Sequence, residues 1–222
     1  MTATTGPDGI ARCPWAVPGE YARYHDEEWG VPLHGDTALF EKLSLEGFQS
    51  GLSWIVVLRK RPAFRAAFAG FDPERVAAFG EDDVERMLAD AGIVRNRQKI
   101  EAVVANARAV VALRERGGDG ALDRLIWSHA PQPRDDRDRP TGMGDVPAST
   151  PESVALVKAL KREGLRFVGP VTVYALMQSA GLVDDHVIGC WRALEPGAKV
   201  VSDRRRDAGA EGPSRPSEPV AG

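Results

Sequence analysis

The chain lacks most of what would mark it as a secreted, membrane-bound or strongly basic protein. Only two cysteines occur in its 222 residues, too few for a disulfide framework. The N-terminal run MTATTGPDGI has neither a basic start nor an apolar core, so the pair suggests a reducing compartment. No stretch approaches the roughly 18 apolar residues of a membrane span. The expectation is a soluble, cytoplasmic monomer with no membrane partner. Positive charge is not in excess either: 29 Lys and Arg against 32 Asp and Glu leave a net charge of -3. Charge is local, however, and three basic clusters stand out: Arg59, Lys60, Arg61 and Arg65; Arg95, Arg97 and Lys99; and Lys158, Lys161, Arg162 and Arg166. They can meet phosphates if the acidic stretch Glu81, Asp82, Asp83, Glu85 faces away, and solvated helix faces are the commoner meaning of such runs.

Period-two alternation and internal repeats are also missing, which points to an all-α chain. Ile100, Val103, Val104, Ala107, Val110 and Val111 follow the helical period and predict one long amphipathic helix over 97–114. Asp36 is placed to cap a helix carrying Leu39, Phe40, Leu43, Leu45 and Phe48. Asp72 before Pro73 and Thr150 before Pro151 read as cap-then-proline helix starts. The longest internal loop falls over 130–148. A content of 43% hydrophobic residues supports one domain, expected over 11–195. Residues 1–10 read as a disordered lead and 196–222, rich in Gly, Pro, Ser and mixed charge, as a disordered tail.

The scarce cysteines sit beside histidines at opposite ends of the chain. His186 precedes Cys190 by four, a spacing that puts both on one face of a helical turn. Cys13 and His25 must converge through a loop. Two thiolates and two imidazoles make a closed tetrahedral set for one structural zinc, with no position left for a catalytic water. Buried thiols or a Cys13–Cys190 disulfide are the plainer alternatives.

Two further regions carry chemistry. Residues about 151–182 read as helix, turn, helix: Val154, Val157 and Leu160 on one apolar face, Val173, Leu176, Met177 and Ala180 on the next. Gly164 ends the first helix and Gly169 sits where amides at the second helix's N-terminus can meet a phosphate, with Lys161, Arg162 and Arg166 nearby. The other region is aromatic: Trp15, Tyr21, Tyr24 and Trp29 crowd a short stretch around Cys13 and His25, and SLEGFQSGLSW adds Glu46 and Trp54. Aromatic faces with a carboxylate suit a flat, flipped, cationic base, although each aromatic alone reads more simply as core and Glu46 as an exposed helix residue.

Taken in order, RCPW, YHDEEWG, LEGFQSGLSW, LADAGIVRNRQKI, FVGPVTVYALMQSAGL and DDHVIGC resemble the 3-methyladenine DNA glycosylase I family from about Arg12 to Trp191. The resemblance implies an all-α helix-hairpin-helix fold in which a structural zinc, on Cys13, His25, His186 and Cys190, clips the N- and C-terminal segments. It implies that Glu46 and Tyr24 bind the extruded base as the catalytic pair, that Trp54 stacks on it with Trp15 and Tyr21 lining the pocket, and that Leu52 enters the gap in alkylated double-stranded DNA. Gly169, Lys161 and Arg166 are the expected backbone contacts. The chain departs from the family at Pro14, in a slightly short Cys13 to His25 spacing, and in the tail. Alkylation at N3 makes adenine a cationic leaving group that needs no protonation. The run 171–183 contains no Asp and no Lys, so the expected enzyme is monofunctional, without a Schiff-base lyase step. A glycosylase for another damaged base, and a non-catalytic zinc-clipped DNA-binding module, are the competing readings.

Overall fold

The computed structural model describes residues 2–132 and 139–193. The expected tail over 196–222 and part of the expected 130–148 loop lie outside the described residues. Helices dominate: α1 (Glu20–Glu27), α2 (Asp36–Gln49), α3 (Trp54–Ala67), α4 (Pro73–Ala77), α5 (Glu81–Ala89), α6 (Arg97–Gly117), α7 (Ala121–Trp127), α8 (Pro151–Arg162) and α9 (Pro170–Ser179). One antiparallel pair of two-residue strands, β1 (Thr4–Thr5) and β2 (Ala11–Arg12), precedes them.

That pair lies within the segment expected as a disordered lead over residues 1–10. Poor apolar content argued for disorder, but charge pairing folds the segment back: the Arg12 guanidinium binds Asp8 at 2.8 and 3.0 Å and Asp26 at 2.7 and 2.9 Å.

Helix α2 is central, packing against α3, α6, α7 and α9. Its Leu39, Phe40, Leu43, Leu45 and Phe48 are all buried. Phe40, Phe48, Phe64, Phe68 and Phe71 form a continuous aromatic wall, with Phe48 and Phe64 ring centroids 4.5 Å apart and Phe68 and Phe71 5.3 Å apart. Each such burial contributes about 1.5–3 kcal/mol, so α2 presents its remaining face from a stiff support. Helix α6 extends the expected 97–114 helix by one turn, its Asn96 side chain accepting from Lys99 N. Asp72 and Thr150 cap α4 and α8 as expected, accepting from Arg75 N and Ser153 N.

Asp36 does something else. Rather than capping its own helix, it accepts from the backbone amides of Gly120 (3.1 Å) and Asp123 (2.9 Å), and from Arg114 Nε (2.8 Å). It therefore caps α7. Asp123 answers by accepting from the amide of Gly35, which precedes α2. Each helix start is capped by a carboxylate of the other.

Helices α8 and α9 form the expected helix-turn-helix over 151–182. Gly164 ends α8 at φ +91°, and Leu165 N to Leu160 O (3.0 Å) with Gly164 N to Lys161 O (3.0 Å) is a Schellman closure. The inward face of α8 is corrected by one step: Leu156, Val157 and Leu160 are buried, while Val154 is exposed. Val154 follows the helical period but lies on the side that no other element covers. Asn106 of α6 clamps the turn, its amide donating to Arg166 O (3.1 Å) and its oxygen accepting from Arg166 N (2.6 Å).

Candidate active site and metal centre

The two ends of the chain meet at Cys13, after β2, His25, in the last turn of α1, and Cys190. One ligand atom from each lies within 4.8 Å of the others, and all three side chains are buried. Cys190 Sγ is 3.3 Å from His25 Nε2. Donation from the Cys13 thiol, then from His25, outweighs burial and draws the Cys190 thiol down to about 4, while Cys13 is pushed up as the donor of that pair and by burial.

His186 stands beside this group, its ring centroid 5.1 Å from that of His25. Its Nδ1 is 2.8 Å from Asp184 Oδ1, as His25 Nδ1 is 2.8 Å from Asp26 Oδ1. A carboxylate on Nδ1 orients an imidazole and leaves Nε2 as the ligand atom. His186 Nε2 is buried and without a hydrogen-bond partner among the described residues. Close packing holds the ring: a Cβ on Gly30, at φ +76°, would lie 2.7 Å from His186 Cε1. The expected helical turn between His186 and Cys190 is not there. Gly189 at φ +85° and a Cys190 N to Val187 O bond make a tight turn instead, because the left-handed glycine breaks the helical repeat.

Trp15 touches both the cysteine and histidine cluster and a second, aromatic one: its ring lies 5.3 Å from His25, 6.0 Å from Tyr21 and 6.3 Å from Tyr24. Tyr24 and Trp54 meet at 5.4 Å with planes tilted by 46°. Tyr21 spends its hydroxyl on α3, accepting from Ile55 N at 3.1 Å. Glu46 is 5% exposed and accepts from the Ser179 hydroxyl at 3.0 Å. Burial pushes its carboxyl up to about 7, against the pull of Lys42 and the Ser179 bond. Burial, reinforced by Glu46 and Glu28, pushes the Tyr24 phenol well above its ordinary value. The Trp54 Nε1 hydrogen is buried and finds no acceptor among the described residues. A buried carboxylate, an unused indole donor and two aromatic faces are what a flat polar ring needs on its edge and faces.

The three basic clusters divide sharply. Arg59, Arg61 and Arg65 pair with Glu20, Glu28 and Glu41. Arg97 pairs with Glu81, Glu85 and Glu101, so those two members of the acidic stretch face a basic cluster rather than away from it. Lys99 is buried and donates to Phe48 O (2.9 Å) and Ser50 O (2.6 Å), closing the C-terminal end of α2. Lys158, Lys161, Arg162 and Arg166 are exposed, and among the described residues none forms a side-chain ion pair. They flank Gly169, which precedes α9 with no side-chain cap and with open space where a Cβ would stand. Leu52 is 42% exposed in the α2–α3 loop that Lys99 anchors.

Comparison with known proteins decides the family. The sequence matches methyladenine glycosylase over residues 15–193. It is 49% identical over 185 residues to DNA-3-methyladenine glycosylase 1 of Escherichia coli (strain K12), covering 82% of this chain and 96% of that one. A crystal structure of 3-methyladenine DNA glycosylase I superposes with a TM-score of 0.77 at 46% identity, covering 82% of this chain and all of the other. The Staphylococcus aureus 3-methyladenine DNA glycosylase I, solved for the structural basis of 3-methyladenine recognition, superposes with a TM-score of 0.76 at 33% identity, covering 83% and 97%.

The chain belongs to the methyladenine glycosylase family.

Within this methyladenine glycosylase, four side chains at the two clusters escaped the reading of the sequence. Asp26 and Asp184 orient the imidazoles; each sits within two positions of its histidine, which was the available signal. Ser179 reaches Glu46 from 133 residues away, and nothing local announces it. Lys42, one helical turn before Glu46, is buried with its Nζ 5.2 Å from the Tyr24 ring centre and 6.0 Å from that of Trp54.

Proposed function

We propose that the protein hydrolyses the N-glycosidic bond of 3-methyladenine in alkylated double-stranded DNA, leaving an abasic site without cutting the strand. The observation that carries this is the Glu46 carboxylate, buried beside Tyr24 and Trp54 and fixed by Ser179, in a chain whose close relatives bear that activity in their names. A base already positive at N3 leaves readily. The residues therefore extrude it, recognise it and stabilise the charge that develops on the sugar. Glu46 accepts from the base edge and balances its charge, Tyr24 binds the base beside it, Trp54 stacks on the ring, and Trp15 and Tyr21 line the pocket. Leu52, exposed and apolar, fills the vacated stack. Amides after Gly169, with Lys161 and Arg166, hold the backbone in the manner of a helix-hairpin-helix. No lysine on α9 is available for a lyase step.

The same reading assigns one zinc to Cys13, His25, His186 and Cys190, within a catalytic unit spanning 11–195. Two sulfurs and two imidazole nitrogens suit it, and a buried His186 Nε2 with no partner is costly unless it binds something. Bound there, zinc contributes a clip between the chain's ends rather than a Lewis acid.

Methylated duplex DNA, with release of 3-methyladenine and 7-methylguanine followed separately, tests the proposal. The expected result is release of 3-methyladenine with strands intact. Strand cleavage coupled to release would refute the monofunctional reading, and no release would leave a binding module.

A further inference from the structure

Lys42 is the least expected side chain in the pocket. It is 8% exposed, and among the described residues no hydrogen bond or ion pair holds its ammonium. Its stem is buried while the ammonium itself keeps contact with solvent, as lysine side chains do. This one ends over the Tyr24 and Trp54 faces, at 5.2 and 6.0 Å, the position expected of a cation in an aromatic cage. Glu46 lies four residues further along α2, on the same face. The other charged groups that act on Lys42 are engaged elsewhere: Glu28 with Arg61, and Glu41 with Arg65.

We propose that Lys42 is a specificity-determining positioning residue, the cation held over the aromatic faces of the proposed base-binding cluster, which keeps Glu46 a carboxylate and yields its place only to a base that is itself cationic. The inference rests on the proposed function and extends it. With Lys42 in the cage, base entry is an exchange. A cationic ring restores the cation–π contact and the charge opposite Glu46 as the ammonium withdraws. A neutral, undamaged purine would evict the ammonium and return neither. The partner carboxyl needs such help: burial pushes Glu46 up to about 7 even with Lys42 pulling it down. Without the ammonium it would be neutral at physiological pH and blind to the charge of the base.

The test is the acidic limb of the pH profile of kcat/KM for release of 3-methyladenine from methylated duplex, which reports groups of the free enzyme, compared between wild type and Lys42→Met. A neighbouring opposite charge typically lowers a carboxyl by about one to two pH units, so the limb should move alkaline by roughly that much. Lys42→Arg should keep the wild-type limb. Discrimination between 3-methyladenine and undamaged adenine should also fall in Lys42→Met. A uniform loss of rate at every pH with the limb in place would mean a merely structural role and would overturn the proposal. Should the variants not fold, NMR of the unsubstituted protein decides: Lys42 must be an ammonium at pH 7, and a neutral amine there would end the argument. Wild-type protein inactive on methylated DNA would instead refute the function itself, which the NMR measurement does not depend on.

Discussion

Glu46, in the third turn of α2, accepts a 3.0 Å hydrogen bond from Ser179, the last residue of α9. The contact ties the helix that carries Glu46 to the helix that follows the proposed DNA anchor.

This carboxyl should leave a signature in stability. Its ordinary value is 4.5 and the folded protein raises it to about 7 by burial. The folded state thus holds a proton that the unfolded chain releases, and stability should fall as pH rises from about 4.5 to about 7. The fall is on the order of 3 kcal/mol. Glu46→Gln should abolish it, melting higher than wild type at pH 8 while binding the cationic base more weakly. Equal affinity of both proteins for a 3-methyladenine site would remove Glu46 from recognition. In the wild type, binding should weaken as pH drops below about 7.

Metal content is open to direct measurement. Protein purified without chelator should carry one zinc per chain, and Cys190→Ser should bind it poorly. A loss of about 2–3 kcal/mol would lower Tm by roughly 5–10 °C in a domain of this size. Unchanged melting in Cys190→Ser together with zinc-free wild type would contradict the assignment.

Gly169→Val should be well tolerated by the fold, since φ -117° and ψ 163° suit any residue and no atom lies within 4 Å of the added Cβ. It should weaken binding to damaged and undamaged duplex by similar factors, because phosphate contacts carry no lesion information. Lys161→Ala with Arg166→Ala should reduce the slope of log affinity against log salt by about 2. Normal affinity of Gly169→Val for undamaged DNA would move the anchor elsewhere.

Asp36→Ala should cost about 2–4 kcal/mol in thermal or denaturant unfolding, because it strands two backbone amides and Arg114 beside a side chain that is 1% exposed. If Asp36→Ala melts like wild type, the mutual capping of α2 and α7 contributes nothing.

The parts of this molecule legible in the sequence are those written in local periodicity and in side-chain chemistry. The 97–114 helix, the caps at Asp72 and Thr150, and the apolar face of α9 at Val173, Leu176 and Met177 follow from spacing alone. So did the gathering of Cys13, His25 and Cys190, because few other residues could serve. What was hidden depends on partners distant in sequence. Asp36 reads as a cap, but only the fold reveals which helix it caps. Arg97 and Lys99 read as a basic patch, yet one is occupied by three glutamates and the other by two carbonyls. Lys42 offered no signal, since lysines on helices are ordinarily solvated.

Asp26 gathers distant parts of the chain onto one carboxylate: Arg12 at the end of β2, His25 beside it, and Trp191, whose Nε1 donates at 2.9 Å. Burial opposes the charge, but these donors hold it well below the usual carboxylate range. Residues 165 positions apart are therefore neighbours through hydrogen bonds of the polypeptide itself, independent of the metal proposed for the cysteines and histidines beside them. Unlike a zinc finger, which acquires its fold by binding, a chain stripped of metal should remain folded at lower Tm and recharge on simple addition of the ion, with no refolding step to limit the rate.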